Sequence, residues 1–201
     1  CTLESVKSAS DVPHLGPSVP QRGNAFSRSL GRVLWSLTGW RFSGEVPDIP
    51  KAVVIVAPHT SNWDFPIGLL VMFALGIKVS FLGKHTLFRW PVGPIMRWLG
   101  GIAVDRRSPR GVVQQMVDTF DDRDRLFLTL TPEGTRGKVD EWKTGFYHMA
   151  CEAGVPVFPV SFDWGSRRIA FHEPVVASGD IERDLPLIRG LFDSVTGKRS
   201  D

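Results

Sequence analysis

The sequence predicts a single α/β domain whose mostly parallel sheet is flanked by helices and preceded by an amphipathic N-terminal helix. Short apolar runs, often β-branched, recur along the chain, and longer helical patterns separate them. Such alternation is typical of a parallel sheet covered by helices. The length of 201 residues fits one domain with a substantial core, and 42% hydrophobic against 22% charged residues is a globular composition.

The first 23 residues are rich in Ser, Pro and Gly and show little periodicity, which predicts a poorly ordered arm before a domain over 24–201. A helical pattern follows over 24–41. Its apolar face spans about 120° of the helix and contains Phe26, Leu30, Val33, Leu34, Leu37 and Trp40. Arg28, Arg32 and Trp35 lie opposite. This helix either packs on the domain or lies at a lipid interface with Trp and Arg at headgroup depth, and both arrangements can hold together.

From Lys51 onward, predicted strands alternate with predicted helices. The strands are short apolar runs at 52–57, 79–82, 102–104, 126–130, 157–162 and 169–171, the last as an edge strand. The helices are predicted at 63–75, 111–121, 145–153 and 185–195, with a broken helix at 87–99 that Pro91 and Pro94 interrupt. Because helices separate most of the strands, we expect those strands to run parallel and to end at one edge of the sheet.

The charge distribution of the chain indicates which classes of binding partner it suits. The net charge is +3, and the segment 21–44 contains four arginines and no acidic residue, which suits an anionic partner such as a phospholipid headgroup. Basic and aromatic residues do not interleave on a predicted strand, so no nucleic-acid partner is expected.

The longest apolar stretch, 68–77, is about half of the roughly 20 residues that span a bilayer, so membrane contact is expected to be peripheral. Two cysteines favour a reducing compartment such as the cytoplasm.

The first candidate site follows the first buried strand, at 58–64 (PHTSNWD). Ligands of open α/β sheets usually bind where strands end. In a continuous helix His59 and Asp64 would lie about 140° apart, so they pair only if the intervening Thr, Ser and Asn form a turn. As a pair, Asp64 would orient the imidazole while His59 removes a proton from a hydroxyl. The same residues also fit a capping box, with Asp64 as a helix cap and His59 as an ordinary surface imidazole.

Three further polar clusters follow other strands. The segment 131–136 (TPEGTR) follows the strand at 126–130, and within it Gly134 allows close backbone approach while Arg136 offers a planar fork for phosphate. Lys84 and Arg106 follow two other predicted strands. Each cluster alone is compatible with a solvated loop charge. Their shared position after strands indicates an anion-binding edge around His59.

These segments resemble four sequence blocks of the 1-acylglycerol-3-phosphate acyltransferase-type family of glycerolipid acyltransferases. His59 and Asp64 match the family's His-four-spacer-Asp block, and 132–136 matches its Pro-Glu-Gly-Thr-Arg block. The segment 100–106 (GGIAVDR) resembles the middle block ending in Arg, and 155–160 (VPVFPV) resembles the Pro-x-x-Pro strand block. Each block alone is a weak or moderate signal. Four blocks in the family's order, over about residues 50–165, are a specific one.

The resemblance implies transfer of a fatty acyl group from acyl-CoA or acyl carrier protein to the hydroxyl of a lysophosphatidic-acid-like acceptor in phospholipid synthesis. It implies that His59 is the general base, that Asp64 is its partner, and that no metal or cofactor takes part. The residues implied to bind the acceptor phosphate are Arg106, Glu133, Gly134, Thr135 and Arg136, with Lys84 as a weaker candidate. It also implies peripheral attachment to the cytoplasmic face of an anionic membrane, with the helix at 24–41 supplying the contact.

Several alternatives remain open at this point. The acceptor could be glycerol-3-phosphate or a lysophospholipid with a larger headgroup, and the small Ala103 leaves that choice open. In a thioester or phosphoester hydrolase His59 would activate water instead, and a lipid-binding protein would keep the pocket without catalysis. The aromatic residues Phe88, Trp90 and Trp98 fit either an acyl-chain wall or core packing.

Overall fold

The computed structural model describes residues 12–104, 109–134 and 141–198, without the side chains of residues 109 and 110. The strands are β1 (Arg41–Ser43), β2 (Lys51–Ala57), β3 (Val79–Lys84), β4 (Gly101–Val104), β5 (Leu126–Leu130), β6 (Val157–Asp163) and β7 (Arg168–Phe171). The helices are α1 (Ala25–Thr38), α2 (Asp64–Leu75), α3 (Gly93–Trp98), α4 (Pro109–Asp121), α5 (Gly145–Glu152) and α6 (Ile181–Gly190). A short 3-10 helix, His85–Phe88, follows β3.

The seven strands described form one sheet in the order β1-β7-β6-β2-β5-β3-β4. Every neighbouring pair among them is parallel except β6 and β7. This arrangement confirms the predicted α/β class with a mostly parallel sheet. The prediction that 169–171 is an edge strand is wrong, because β1 pairs with β7 and forms the edge. At three residues, β1 is too short to show a period in the sequence.

The register of the central strands determines which loops meet at the edge of the sheet where the strands end. β2 lies between β5 and β6, with Ile55 opposite Leu130 on one side and Ala57 opposite Ser161 on the other. Because these strands are parallel, the segments that follow them leave the sheet at the same edge. That edge therefore collects the loops after β2, β5 and β6.

Residues 12–23 pack on the domain, so the prediction of a poorly ordered arm is wrong for them; residues 1–11 lie outside the described residues. Val19 is completely buried and Leu15 nearly so. The carbonyl of Pro20 accepts the N–H of Lys78 at 2.8 Å, and the N–H of Arg22 donates to Gly76 at 2.8 Å. The burial of these two apolar side chains and the two backbone hydrogen bonds order this segment, although its composition is typical of disordered chains.

Helix α1 begins with a capping box, in which the Asn24 side chain and Ser27 exchange hydrogen bonds. It packs against α2 through Gly31, and its other buried residue, Trp35, stacks on Phe42 of β1; both lie on the side away from the predicted apolar face. A methyl group on Gly31 would lie 2.7 Å from the backbone carbonyl carbon of Phe73, so only glycine permits this approach. The helix therefore packs on the domain, but not through its apolar face.

The core has two layers, one on each face of the sheet. The layer under α1 and α2 includes Val54, Met72, Phe127, Phe158 and Phe162. The layer under α4, α5 and α6 includes Val53, Ile55, Met116, Leu128 and Tyr147. Strand β2 contributes alternate side chains to both layers, as a strand buried on both faces should. Among the described residues, no helix is both long enough and apolar enough to cross a membrane.

Candidate active site

The turn after β2 brings the imidazole of His59 to the carboxylate of Asp64. His59 Nδ1 lies 2.9 Å from Asp64 Oδ2. The turn is closed by the N–H of Asp64, which donates to the carbonyl of Ser61 at 3.2 Å, and α2 begins at Asp64. Asp64 is only 4% exposed, whereas the His59 side chain is 20% exposed. The buried carboxylate thus faces a ring that solvent and a substrate can still reach.

Two other groups donate hydrogen bonds to the carboxylate of Asp64. The N–H of Ser61 donates to Oδ2 at 3.0 Å, and the indole Nε1–H of Trp164 donates to Oδ1 at 2.7 Å. The bond from Ser61 is only one half of a capping box, because the hydroxyl of Ser61 accepts the N–H of Trp63 at 3.2 Å and the N–H of Asp64 donates to the backbone carbonyl of Ser61. Asp64 therefore closes the turn and contacts the imidazole at the same time, so His59 is not an isolated surface imidazole.

Glu133 supports the turn from the loop after β5. Both of its carboxylate oxygens accept the backbone N–H of His59, at 3.0 and 2.8 Å. Burial raises the pKa of the Glu133 carboxyl above its ordinary value of 4.5, although the hydrogen bond from His59 acts in the opposite direction. The resemblance implied phosphate binding for Glu133. Its carboxylate accepts the backbone N–H of His59 and so fixes the turn. A carboxylate in this role offers no hydrogen-bond donor to a phosphate.

Gly134 lies next to Glu133 at the mouth of the site, with a positive φ of 65°. A methyl group on Gly134 would lie 2.8 Å from Lys143 Nζ, so the lysine side chain lies directly over this turn. The N–H of Lys143 also donates to the carbonyl of Pro132 at 2.8 Å. An exposed ammonium group is thus placed beside the loop that carries Glu133.

Of the other candidate site residues predicted from the sequence, the structure describes only Lys84. Arg106, Thr135 and Arg136 lie outside the described residues. Lys84 is the last residue of β3 and is exposed, and it is not among the described residues that line the adjoining cleft. No sequence pattern pointed to Trp164, which is 100 residues from Asp64. Only the shared edge of the sheet brings the two together.

An open cleft of about 1610 Å³ includes His59 and is lined from both faces of the sheet, by α2 on one face and by α4 and α5 on the other. Its inner wall is apolar and includes Leu69, Met72, Leu75, Phe81, Phe158 and Val160. Lys143, Thr144 and His148 line the other side of its mouth. The cleft is larger than the roughly 300–1,000 Å³ typical of small-molecule pockets. It combines an imidazole and an ammonium at the mouth with apolar side chains below.

Exposed apolar side chains on α1 and around α3 flank the outer side of α2. We call them the apolar surface: Phe26, Leu30, Val33, Leu34, Leu37, Trp90, Val92, Ile95 and Trp98. Arg22 lies beside the part around α3, since its guanidinium lies 5.0 Å from the ring of Phe73 in α2 and 4.7 Å from that of Trp98. Phe88 is buried, whereas Trp90 and Trp98 are 87% and 64% exposed, so core packing is wrong for these two tryptophans.

Comparisons with known proteins find related sequences and a related structure. The family model described as Acyltransferase matches residues 42–163. The chain is 27% identical over 151 residues to the 1-acyl-sn-glycerol-3-phosphate acyltransferase of Haemophilus influenzae, covering 70% of this chain and 61% of that protein. It is 28% identical over 163 residues to the enzyme of the same name from Escherichia coli, covering 76% and 64%. The chain thus spans about three fifths of the length of these relatives.

A solved structure shares the fold. The chain matches the crystal structure of the 1-acyl-sn-glycerophosphate (LPA) acyltransferase PlsC from Thermotoga maritima with a TM-score of 0.53 and 24% sequence identity. The match covers 86% of this chain and 80% of that chain.

Glu133→Gln is expected to change the pH dependence of stability. Because burial raises the pKa of Glu133, the folded protein binds this proton more tightly than the unfolded chain does. The stability of the wild type should therefore fall, relative to the variant, as pH rises from about 4.5 through the raised pKa. Urea unfolding measured across this range checks the slope. Glu141→Gln, at an exposed carboxylate, should follow the wild type, and identical profiles for the wild type and Glu133→Gln would refute the burial effect.

Proposed function

The chain belongs to the acyltransferase family, and on that basis we propose that it transfers a fatty acyl group from a thioester to the hydroxyl of a lysophosphatidic-acid-like acceptor. The observation that carries the proposal is the 2.9 Å contact between His59 and Asp64 at the mouth of a large apolar cleft. The matched relatives bear the name 1-acyl-sn-glycerol-3-phosphate acyltransferase, which supports this acceptor.

In this mechanism His59 is the general base. With Nδ1 bonded to Asp64, the ring leaves Nε2 as the acceptor for the proton of the acceptor hydroxyl. The hydroxyl oxygen attacks the thioester carbonyl, the new C–O bond forms, and the C–S bond breaks. The leaving thiolate then takes the proton from the imidazolium, which Asp64 has stabilised. A positioned base of this kind contributes roughly 10² to 10⁴ in rate.

The two ends of the cleft suit the two parts of the substrates. The apolar wall between the sheet and α2 can enclose a fatty acyl chain, because burial of each CH₂ group contributes about 0.8 kcal/mol. We assign the acceptor phosphate to the basic mouth, with Arg106, Thr135 and Arg136 as its ligands on the family resemblance. Lys143 beside Gly134 joins them because its ammonium lies over the same loop. A charge-assisted hydrogen bond to phosphate is worth roughly 1.5–3 kcal/mol.

Glu133 has a different part in this proposal. Its carboxylate holds the backbone of His59, so the general base is fixed from two loops at once. The donor is acyl-CoA or acyl carrier protein, since the mechanism requires only a thioester with a thiol leaving group.

We also propose that the protein docks peripherally on the cytoplasmic face of an anionic membrane through the apolar surface. Five side chains of α1 face outward there, and Leu37 is 77% exposed. Arg28 and Arg32 lie on the opposite face of α1, toward α2: Arg28 packs over Gly76, and Arg32 Nε donates to the carbonyl of Ala74 at 3.3 Å. Exposed apolar side chains on a helix from a segment that contains four arginines and no acidic residue suit the surface of an anionic membrane.

Release of free thiol from acyl-CoA, with and without lysophosphatidic acid, tests the proposed reaction. We expect release that depends on the acceptor, together with a loss of at least about 100-fold in His59→Ala, because the general base is removed. His14→Ala, at an exposed histidine of the N-terminal segment, is the control and should retain activity. Acceptor-independent release would indicate a hydrolase, and no release would indicate a lipid binder. Full activity in His59→Ala would remove the residue from the mechanism.

Co-sedimentation with vesicles containing anionic phospholipid tests the docking surface. Binding by the wild type should be strong at low salt and should fall as salt rises. Leu37→Asp should weaken binding about tenfold, since it places a charge where the proposed docking buries a leucine in the membrane. Ser36→Asp adds the same charge one residue away and should weaken binding much less. Wild-type protein that stays in the supernatant at low salt, or unimpaired binding by Leu37→Asp, would contradict this orientation.

A further inference from the structure

We infer that Trp164 is a positioning residue for the proposed acyl transfer and that it acts through Asp64. The inference rests on the proposed function, because it concerns the partner of the proposed base. The indole Nε1–H of Trp164 donates to Asp64 Oδ1 at 2.7 Å, shorter than the contacts of Ser61 and His59 with Oδ2. Trp164 is the first residue after β6, and it lies just beyond the segment that the family model matches.

The division of contacts between the two oxygens of Asp64 gives Trp164 its importance. His59 and Ser61 both contact Oδ2, and within the described residues the hydrogen bond to Oδ1 comes from Trp164. The terminal torsion of an aspartate is broad, so contacts with one oxygen leave the carboxylate plane free to rotate about it. A donor on the second oxygen fixes that plane. It thereby fixes the direction from which Oδ2 meets the imidazole.

The indole is itself held on several sides. Its ring packs edge-on against Trp40, with centroids 4.9 Å apart and an interplanar angle of 88°. The backbone N–H of Trp164 donates to the carbonyl of Thr196 at 2.8 Å. The ammonium of Lys198 lies 4.7 Å from the Trp164 ring and 4.5 Å from that of Trp63. The segment 196–198 therefore holds this indole in place from the C-terminal side.

The chemistry of indole suits this position. An indole N–H can only donate, so Oδ1 must remain an acceptor. Phenylalanine keeps most of the ring volume and its edge-on contact with Trp40 but has no donor. Trp164→Phe therefore removes the hydrogen bond with little change in packing. Trp35→Phe is its matched control, because this buried ring packs on Trp40 and Phe42, one ring further from Asp64 than Trp40.

Steady-state kinetics of acyl transfer separate positioning from a merely structural role. We expect Trp164→Phe to lower kcat about tenfold, the cost of one hydrogen bond to a charged group, with KM for both substrates within about twofold of the wild type. Trp35→Phe should retain kcat. In an Asp64→Ala background Trp164→Phe should cause no further loss. The inference is overturned if Trp164→Phe keeps wild-type kcat, or if it lowers activity equally with and without Asp64.

A second measurement does not depend on turnover. The Trp164 indole N–H resonance, identified by its loss in Trp164→Phe, should lie downfield and should shift upfield in Asp64→Ala. An unchanged resonance would show that no hydrogen bond exists and would overturn the inference. If the wild-type protein shows no acceptor-dependent transfer, the proposed function fails, while the resonance still reports on the contact.

Discussion

The candidate active site depends on the hydrogen bond between the His59 ring and the buried carboxylate of Asp64. A buried carboxylate is costly unless donors surround it, and here the donors come from the adjoining turn, from His59 itself and from Trp164. A second buried carboxylate, Glu133, accepts the backbone N–H of the same histidine. The turn after β2 is thus fixed by groups from three strand ends, which the parallel register brings to one edge.

The two faces of the sheet have different roles around this edge. On the side of α2, the core opens into the apolar cleft below His59, and the outer side of α1 carries the apolar surface. On the side of α5, Lys143 and His148 line the polar part of the mouth. A lipid substrate needs both environments at once, because its chain is apolar and its phosphate is charged. A base placed where the two environments meet can reach the hydroxyl between them.

The sequence predicted the features that depend on local pattern. Continuous apolar runs predicted the buried strands, and the spacing of His59 and Asp64 required a turn if the two side chains were to pair. It could not predict which face of α1 packs, because Gly31 contributes no apolar signal although its missing side chain permits the contact with α2. The roles of Glu133 and Trp164 also escaped prediction. Both depend on strand order and register, which a single sequence does not encode locally.

The most direct test of the central claim is ¹⁵N NMR of the His59 ring in the folded protein, compared with Asp64→Ala. The expected result is a ring that carries a proton on Nδ1, bonded to Asp64, with Nε2 free to accept a proton; the signals should change toward a mixture of tautomers in Asp64→Ala. A proton on Nε2 in the wild type, or identical ring signals in the two proteins, would contradict the assignment of His59 as a base oriented by Asp64.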